Sequence, residues 1–566
     1  MNERRRISFV LLLLRFAIAG VSGLVLSAAL PPLNQSALAF LAFVPLLIIT
    51  MHCSRGGAFW YGFGFGWAWA FTAFNFLREI QGSFGVIPYI LATILALYFG
   101  VFGLCCFWFG RYLRRGRDVR MLTFSERKEN PSDPGFGREL VYVLAVSAAY
   151  LILEWGRAWV LPWNYLAVTQ YRNPALLQLA AWGGTYLVGF PIIFCNAAFA
   201  TVLDSVWSRC RAGRPRRRPY VLLLAALLLV ADGWFGAWRV TRYSAGETAA
   251  CRIGLVQCNL SQRRSATFGE VVESVDVNFG LGFILAARTD KPELVMMPES
   301  ATPISYSEDS QISTDLRLVI YDFVRRGGIP LLYGAVDTDV EGRSFNRAML
   351  FTPDHAAGYV EKYDKIQRVP FGEYVPFRSV LPEFVVRIID MNRDLTPGSD
   401  FTPLNLLPGV RAGMSICFED VFPYIARREA QLGANLLAVI TNDAWYPESS
   451  EPEQHFANCV MRTVETGLPM VRCGNNSSSL VLDPVGRVAD GVMHRADGSV
   501  DPIGKSRAAG VVTVNVPSAP AETFHTRYGD WFVYLMLAVF VGALGCCFAG
   551  WYGDRRYFLK QLDIQI

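Results

Sequence analysis

Long apolar stretches, each near the length that a helix needs to cross a membrane, dominate this sequence and limit what it can fold into. A helix crosses a bilayer core with about 20 residues. Stretches of this kind lie near residues 8–30, 34–52, 57–77, 87–111, 139–160, 175–203, 219–240 and 531–551. With 52% hydrophobic and 18% charged residues, the chain has the apolar excess of a membrane protein. The sequence predicts a multi-pass α-helical membrane domain of eight transmembrane helices, seven in residues 1–240 and the eighth in residues 530–566.

The segment between the seventh and eighth stretches, residues 241–529, reads as a globular domain. Short β-rich runs end abruptly in polar residues there, as in RIGLVQCNL, ELVMMPES, IPLLYGAV, VRAGMSICFED and NLLAVITNDAW. Helix-like segments such as STDLRLVIYDFVRRGG separate several of these runs. Buried strands that alternate with helices are typical of a layered α/β domain. In such a domain the sheet fixes the side chains at strand ends, while the turns expose them.

The distribution of lysine and arginine predicts the orientation of the chain. The basic loops follow the fourth and sixth apolar stretches, and the C-terminal tail is also basic: Arg114, Arg115, Arg117, Arg120, Arg127 and Lys128, the run SRCRAGRPRRRP, and Arg555, Arg556 and Lys560. Basic loops remain on the cytoplasmic side, so we expect residues 241–529 to be extracytoplasmic. The RPRRRP run is a short connector between two apolar stretches, which favours an orientation signal over a nucleic-acid site.

The sequence lacks the common motifs for metals and nucleotides. It contains no Gly-rich phosphate loop, no CxxC pair and no HExxH, and it has only five histidines. We therefore expect neither a metal nor a cofactor. No sequence feature requires an oligomer, so we expect a monomer.

Three strand ends in the globular segment carry side chains with complementary chemistry. Glu299 leaves the apolar run LVMMP, and burial of such a carboxyl raises its pKa toward that of a base useful near neutrality. Lys365 lies in an irregular stretch, where a fixed ammonium can stabilise an oxyanion. Cys417 ends the run SIC and becomes a nucleophile beside a base and a cation. Alone, each residue is more often solvated or inert, but together they predict acyl transfer without histidine.

Two further polar features leave alternatives open. Glu154 and Arg157 are three residues apart in the fifth apolar stretch, so they share a helix face and can pair. They predict either a polar site near the outer interface or a structural ion pair between helices. His455 in EQHF suggests a Cys–His arrangement, but it lies near a predicted helix start without an evident orienting partner. For His455 we favour capping or packing in the wall of the site.

The order Glu, Lys, Cys on such strand ends resembles the nitrilase, or carbon–nitrogen hydrolase, superfamily. The surrounding sequence is more similar still to its membrane-anchored branch, the bacterial apolipoprotein N-acyltransferases. The similar segments are GRAWVLPWNYLAVTQY, LVQCNLSQ, MMPESATP, YDKIQRVPFGEYVPF, SICFED, TNDAWY and EQHFANCVMRTVETGLPMVRCGNN. The resemblance covers nearly the whole chain, including the arrangement of seven spans, a domain and one span. It implies a nitrilase-like α-β-β-α sandwich for the globular segment.

The resemblance also implies a reaction and a location. Members of this family move a fatty acyl chain from a phospholipid, typically phosphatidylethanolamine, onto the active-site cysteine as a thioester. They then transfer the chain to the N-terminal α-amine of diacylglyceryl-cysteine in an apolipoprotein. By position, Cys417 is expected to be the nucleophile, Glu299 the general base and Lys365 the oxyanion stabiliser. The expected location is the bacterial inner membrane, with the catalytic domain on the periplasmic side.

Supporting residues follow from the same resemblance. Glu373 in PFGEY is expected to orient or assist the base, and Glu419 to position groups around the nucleophile, with a purely structural role as the alternative for Glu419. Substrate contacts, including an acyl-chain groove, are expected from aromatic side chains, for each of which ordinary packing is the alternative: Phe371, Phe377, Phe384, Phe418, Trp445, Tyr446 and Trp163.

The sequence departs from the family at several positions, and two other functions stay open. Phe418 stands where a tyrosine often follows the nucleophile. SQRRSATFGE lacks a tryptophan that many members carry, and CGNNSSS replaces a loop with more glycine and threonine. These changes put substrate preference and rate in question. The alternatives are a membrane-tethered nitrilase-type amidase or lipid hydrolase, in which water accepts the acyl group, and a non-enzymatic membrane protein that binds lipoproteins.

Overall fold

Helices form the N-terminal part of the chain and its C-terminal end. The computed structural model describes residues 3–79, 87–114, 135–212, 219–243, 248–262, 266–355, 358–383 and 394–563. In chain order the helices are α1 (Glu3–Ala28), α2 (Val44–Met51), α3 (Arg55–Ala73), α4 (Ile87–Leu113), α5 (Phe136–Ala158), α6 (Pro174–Leu177), α7 (Ala180–Ala212), α8 (Tyr220–Arg242), α9 (Phe268–Ala286), α10 (Gln311–Gly327), α11 (Pro423–Gln431), α12 (Glu451–Thr466), α13 (Phe524–Tyr528) and α14 (Trp531–Asp563).

Six helices within the described residues are long and apolar enough to cross a membrane: Phe9–Ala28, Ile87–Leu113, Phe136–Ala158, Ala180–Trp207, Tyr220–Arg242 and Trp531–Tyr552. The predicted multi-pass helical membrane domain is confirmed, but its count of eight spans is not. Residues 34–52 form a 3-10 turn followed by α2, which has only eight residues. Such a helix is about 12 Å long, against about 30 Å of hydrocarbon. The span predicted at 57–77 is α3, which is not among the six.

Helix α3 is rich in glycine because it packs directly against the backbone of α4. A Cβ on Gly62 would lie 2.1 Å from the carbonyl oxygen of Phe99, and a Cβ on Gly103 would lie 2.2 Å from that of Ala58. Only glycine allows two helices to approach so closely. Glycine also contributes little hydropathy, so a segment selected for close packing is less apolar than its length suggests.

The globular part contains two six-stranded sheets. The first has the order β12-β1-β2-β3-β4-β5, with β1 (Thr248–Gln257), β2 (Leu294–Met296), β3 (Leu331–Thr338), β4 (Ser344–Phe351), β5 (Glu361–Asp364) and β12 (Ala508–Pro517). The second has the order β11-β10-β9-β8-β7-β6, with β6 (Leu404–Leu407), β7 (Val410–Ile416), β8 (Leu436–Thr441), β9 (Met470–Gly474), β10 (Leu480–Leu482) and β11 (Val488–Gly491). Strands β1 to β3 are parallel in the first sheet, and β7 to β9 are parallel in the second.

The two sheets pack face to face and helices cover their outer faces. Apolar side chains such as Met296 of the first sheet and Ile416 of the second form one buried core between the sheets. Phe279 of α9 and Phe323 of α10 pack on the outer face of the first sheet. Helix α12 lies between the second sheet and the membrane helices, where Val460 joins their shared apolar core. The predicted α-β-β-α sandwich is confirmed.

This layering places several polar residues directly beyond the ends of strands. Strand β2 ends three residues before Glu299, β5 ends one residue before Lys365, and β7 ends one residue before Cys417. Strand β8 ends two residues before Asp443. The site is therefore held by the sheets and opens at their edge.

Candidate active site

Cys417 occupies a sharp turn at the end of β7. Its φ is +53°, a left-handed value that a residue with a side chain rarely adopts and that marks local strain. A 3-10 helix, Cys417–Val421, starts at this residue and turns the chain away from the strand. Burial and the neighbouring Glu299 carboxylate raise the pKa of the Cys417 thiol well above its usual value, although Lys365 opposes them. The thiol is therefore neutral at rest and needs a base.

Glu299 is placed to be that base. Its side chain is buried, and the neighbouring Cys417 thiol favours its ionised form. Burial raises the pKa of Glu299, with the Lys365 ammonium acting in the opposite direction. A carboxylate with a raised pKa beside a neutral thiol can accept the proton of that thiol.

Lys365 is a buried cation between two carboxylates. Its Nζ lies 3.3 Å from Oε1 of Glu299 and 3.0 Å from Oε1 of Glu373. Burial disfavours the charged ammonium, but these two carboxylates outweigh burial and keep the pKa of Lys365 well above its usual value. The structure thus brings Glu299, Lys365 and Cys417 together and fixes a positive charge beside the thiol.

Asn346, which the sequence analysis missed, completes this arrangement. Its single Nδ2 donates to Oε1 of Glu299 at 2.7 Å and to Oε1 of Glu373 at 2.8 Å. Oε1 of Glu299 thus receives bonds from both Asn346 and Lys365, which leaves Oε2 as the oxygen free to take a proton. The available signal was a buried amide inside strand β4, in the run SFNRAML. A polar side chain in the middle of a buried strand needs partners.

The two supporting glutamates hold backbone segments in place. Glu373 uses Oε1 for Lys365 and Oε2 for the backbone N–H of Val369 at 2.8 Å, which closes the PFGE turn. Glu419 accepts hydrogen bonds from the hydroxyl of Tyr363 at 3.0 Å and from three backbone N–H groups, those of Ile416 at 2.8 Å, Ile366 at 2.6 Å and Gln367 at 2.9 Å. It therefore ties the strand that precedes Cys417 to the segment that follows Lys365.

The aromatic residues that were expected to contact substrate divide into buried and exposed ones. Trp163 is buried and stacks on Phe418, with ring centroids 5.9 Å apart. Phe371 and Trp445 are 38% and 39% exposed. Three further residues were expected to line an acyl-chain groove. Phe377 is 79% exposed, Tyr446 packs against Phe76, and Phe384 lies outside the described residues.

The Glu154–Arg157 pair supports the loop that carries Trp163. Arg157 Nη1 donates to the carbonyl of Trp163 at 2.7 Å and to that of Leu161 at 3.1 Å. Glu154 Oε1 lies 4.0 Å from the guanidinium and accepts from the backbone N–H of Leu166 at 2.7 Å. Of the two alternatives, the contacts favour a structural role, with loop carbonyls as the main partners of Arg157.

His455 is more strongly held than the sequence indicated. The expectation that it has no orienting partner is wrong, because Nδ1 lies 2.8 Å from Asp443 and Nε2 lies 2.9 Å from Asp420. These partners lie 12 and 35 residues away in the sequence, so local patterns do not reveal them. The expected wall packing is observed, since Trp163 lies over the ring at 5.3 Å between centroids.

A metal does not suit this group of side chains. The donor atoms of Cys417, Asp443 and His455 lie within 4.8 Å of one another. Both ring nitrogens of His455 already face carboxylates, so the ring has no lone pair to offer a cation.

Comparison with known proteins agrees with this fold. The family described as Apolipoprotein N-acyltransferase N-terminal domain matches residues 22–198, and the Carbon-nitrogen hydrolase family matches residues 252–516. An Apolipoprotein N-acyltransferase from Gloeobacter violaceus is 30% identical over 542 residues, which cover 93% of each chain. One from Geobacter metallireducens is 27% identical over 533 residues, covering 92% of this chain and 93% of its own.

Among solved structures, a mutant of the amidase from Nesterenkonia sp. AN1 aligns with a TM-score of 0.34 and 16% identity, covering 50% of this chain and 95% of that chain. The sequence relatives match the membrane part and the globular part together, over nearly their full lengths. The chain belongs to the apolipoprotein N-acyltransferase family, and its globular part is a carbon–nitrogen hydrolase domain.

Proposed function

We propose that this bacterial membrane protein transfers a fatty acyl chain from a phospholipid, through a thioester on Cys417, to the N-terminal α-amine of diacylglyceryl-cysteine in an apolipoprotein. The observation that carries the proposal is the Glu299–Lys365 ion pair of 3.3 Å beside the Cys417 thiol, in a chain with apolar membrane helices. The membrane helices distinguish it from a soluble amidase with the same three residues.

In the first half of the proposed reaction, Glu299 takes the thiol proton as Sγ of Cys417 attacks the ester carbonyl. The carbonyl oxygen becomes an oxyanion, and the Lys365 ammonium stabilises it. Glu299 then returns the proton to the glycerol oxygen, which leaves as lysophospholipid. Glu373 and Asn346 hold the base and the ammonium in place through these steps.

In the second half, the acceptor amine attacks the thioester carbonyl. Glu299 takes one proton from the amine, Lys365 again stabilises the oxyanion, and the Cys417 sulfur leaves and regains its proton. A thioester divides one difficult exchange into two easier transfers that use the same base. Trp163 and Phe418 form one wall of the space for the acyl chain, and Phe371 and Trp445 its rim.

The proposed setting follows from the two lipid substrates. We assign residues 1–240 to the membrane domain, 241–529 to the catalytic domain and 530–566 to the last helix and a cytoplasmic tail. The catalytic domain then lies on the periplasmic side of the inner membrane, where a monomer meets both substrates. Phosphatidylethanolamine is the proposed donor. Anchoring the site at the surface confines the encounter to two dimensions, which raises the effective concentration.

A transfer assay tests this function. Purified protein is mixed with phospholipid carrying a radiolabelled acyl chain and with a synthetic diacylated lipopeptide that has a free N-terminal amine. We expect label on the lipopeptide and none on its N-acetylated control. Release of labelled fatty acid alone would identify a hydrolase, and the absence of both products would indicate a binding protein.

A further inference from the structure

Beneath the nucleophile lies a ring of four buried charged side chains, here called the ion quartet: Asp420, Asp443, His455 and Arg472. Each carboxylate gives one oxygen to His455 and the other to Arg472. Asp420 lies 2.9 Å from Nε2 of His455 and 3.3 Å from Nη1 of Arg472. Asp443 lies 2.8 Å from Nδ1 of His455 and 3.6 Å from Nη2 of Arg472. Negative and positive side chains therefore alternate around the ring.

The ring geometry determines the protonation of His455. A neutral imidazole has one N–H and one lone pair, and a lone pair that faces a carboxylate is repelled by it. Because both nitrogens of His455 face carboxylates, both carry protons. Burial lowers the pKa of His455, but Asp420 and Asp443 outweigh burial and raise it to about 10.

The quartet has no net charge when His455 is protonated. Asp420 and Asp443 contribute two negative charges, and His455 and Arg472 contribute two positive ones. A further acid beside the ring is Glu451, 3.7 Å from Nδ1. Burial and Asp443 raise the pKa of Glu451 well above its usual value, which favours its uncharged form.

The quartet is attached directly to the nucleophile turn. Nε2 of His455 lies 3.3 Å from the carbonyl oxygen of Cys417, and Asp420 lies in the 3-10 helix that starts at Cys417. The Cys417 sulfur lies within 4.8 Å of donor atoms of both Asp443 and His455. Any net charge on the quartet therefore acts on the thiol at short range.

The membrane domain covers the quartet. Trp163 lies over the His455 ring at 5.3 Å, tilted by 37°, and an aromatic face attracts a cation in this position. The Trp163 indole N–H donates to Oε1 of Gln454, the residue before His455, at 3.0 Å. The loop that carries Trp163 thus holds α12 as well as the imidazolium.

We propose that His455 is a positioning residue for Cys417, whose positive ring keeps the charge beneath the thiol at zero and holds the nucleophile turn under Trp163. His455 is therefore not the base of a Cys–His pair, and Glu299 keeps that role. The inference rests on the proposed function in one respect, namely that Cys417 is the nucleophile.

The test measures the thiol itself and requires no lipid substrate. The full-length protein in detergent micelles is treated with hydroxylamine to free the thiol, then with iodoacetamide over the pH range from about 6 to 10. Mass spectrometry of the peptide that contains Cys417 gives its alkylation rate separately from that of other cysteines. The variants are His455→Gln, Asp443→Asn and the double variant, with size-exclusion chromatography as the folding control.

The three variants are expected to change the alkylation rate of Cys417 in different ways. His455→Gln leaves the quartet with one net negative charge, so we expect the alkylation rate at fixed pH to fall by about tenfold to hundredfold, because a unit charge this close shifts a pKa by about one to two units. Asp443→Asn leaves one net positive charge and is expected to raise the rate. The double variant restores zero net charge and is expected to return to within about threefold of the parent protein.

Two results would overturn the inference: both single variants shift the rate in the same direction, or the double variant reacts no faster than His455→Gln. If His455→Gln fails to fold, Asp443→Asn alone still decides, because an unchanged or slower rate contradicts the charge balance. A failed acyl-transfer assay with this pattern intact would reject the proposed function and leave the quartet's role in place.

Discussion

The ammonium nitrogen of Lys365 lies 3.3 Å from Oε1 of Glu299, and both side chains are buried. Desolvating two charges is costly, and a buried pair is stable only while both partners are present. In the proposed reaction, the cation is in place before an oxyanion forms and the carboxylate before the thiol loses its proton. This preorganisation is a large source of rate in enzymes that stabilise developing charge.

Replacing Lys365 with methionine leaves the buried Glu299 carboxyl beside the half-buried Glu373 carboxyl without a cation. We expect the free energy of unfolding to fall by about 3 kcal/mol and acyl-enzyme formation to stop. Denaturant unfolding in detergent micelles measures the first effect, and mass spectrometry of the Cys417 peptide the second. The double variant Glu299→Gln/Lys365→Met is expected to recover part of the stability and none of the activity. Unchanged stability of Lys365→Met would contradict the pairing.

Asn346→Leu tests whether the amide aligns the two carboxylates. The change removes two hydrogen bonds to charged groups, each worth about 1.5–3 kcal/mol, so we expect acyl-enzyme formation to slow by about tenfold or more. The rate of thioester formation in single turnover is the measurement. Asn405→Leu is the matched control, because Asn405 bonds the carboxylate of Glu361 at 2.8 Å on the exposed surface. Equal rates for the two variants would show that Asn346 does not act on the base.

The pH dependence of thioester formation is expected to follow the ionisation of Glu299, the proposed base. Burial raises the pKa of Glu299 above its ordinary value of 4.5, and only the ionised form accepts the thiol proton. Activity is therefore expected to fall on acidification at a higher pH than a solvated glutamate would give, and to rise as pH increases through the pKa of Glu299. The pH profile of single-turnover acylation measures this acidic fall in rate. Glu299→Gln is expected to lose the acidic fall together with most of the activity. A midpoint of the fall at or below pH 4.5 in the parent protein would contradict the assignment of Glu299 as the base.

Trp163 and Trp159 form a matched pair on one loop. Trp163 is buried against Phe418 and His455, whereas Trp159 is 77% exposed. We expect Trp163→Leu to lower acyl transfer to the lipopeptide by about tenfold, the loss of roughly 1.4 kcal/mol of aromatic contact. Trp159→Leu is expected to retain near-parent transfer. The transfer assay compares them, and similar losses in both variants would point to general damage of the loop.

Strand ends are the part of this site that a sequence reveals well. Glu299 and Cys417 each follow a recognisable buried strand, so an apolar run that stops at a reactive side chain was enough to select them. Lys365 follows the polar strand EKYD, in a stretch that the sequence shows only as irregular. Asn346 was missed because it lies inside a strand and not at the end of one. Its amide acquires partners only when the fold brings Glu299, which follows β2, and Glu373 beside it.

The membrane part and the quartet show two other limits of sequence patterns. Hydropathy cannot separate a spanning helix from the short α2 and its preceding turn, because both are apolar. His455 has partners from two other elements, Asp420 in the nucleophile turn and Asp443 after β8. Such long-range pairs depend on how the strands are ordered in the sheet, which local periodicity does not contain.

The measurement that bears most on the mechanism is a mass spectrum of the protein after exposure to phospholipid. We predict a fatty-acyl adduct on the peptide that contains Cys417, removed by hydroxylamine as a thioester should be, and absent from Cys417→Ala. Glu299→Gln is predicted to fold but to accumulate no adduct. An adduct that persists in Cys417→Ala, or active protein that never carries acyl on Cys417, would contradict the thioester mechanism.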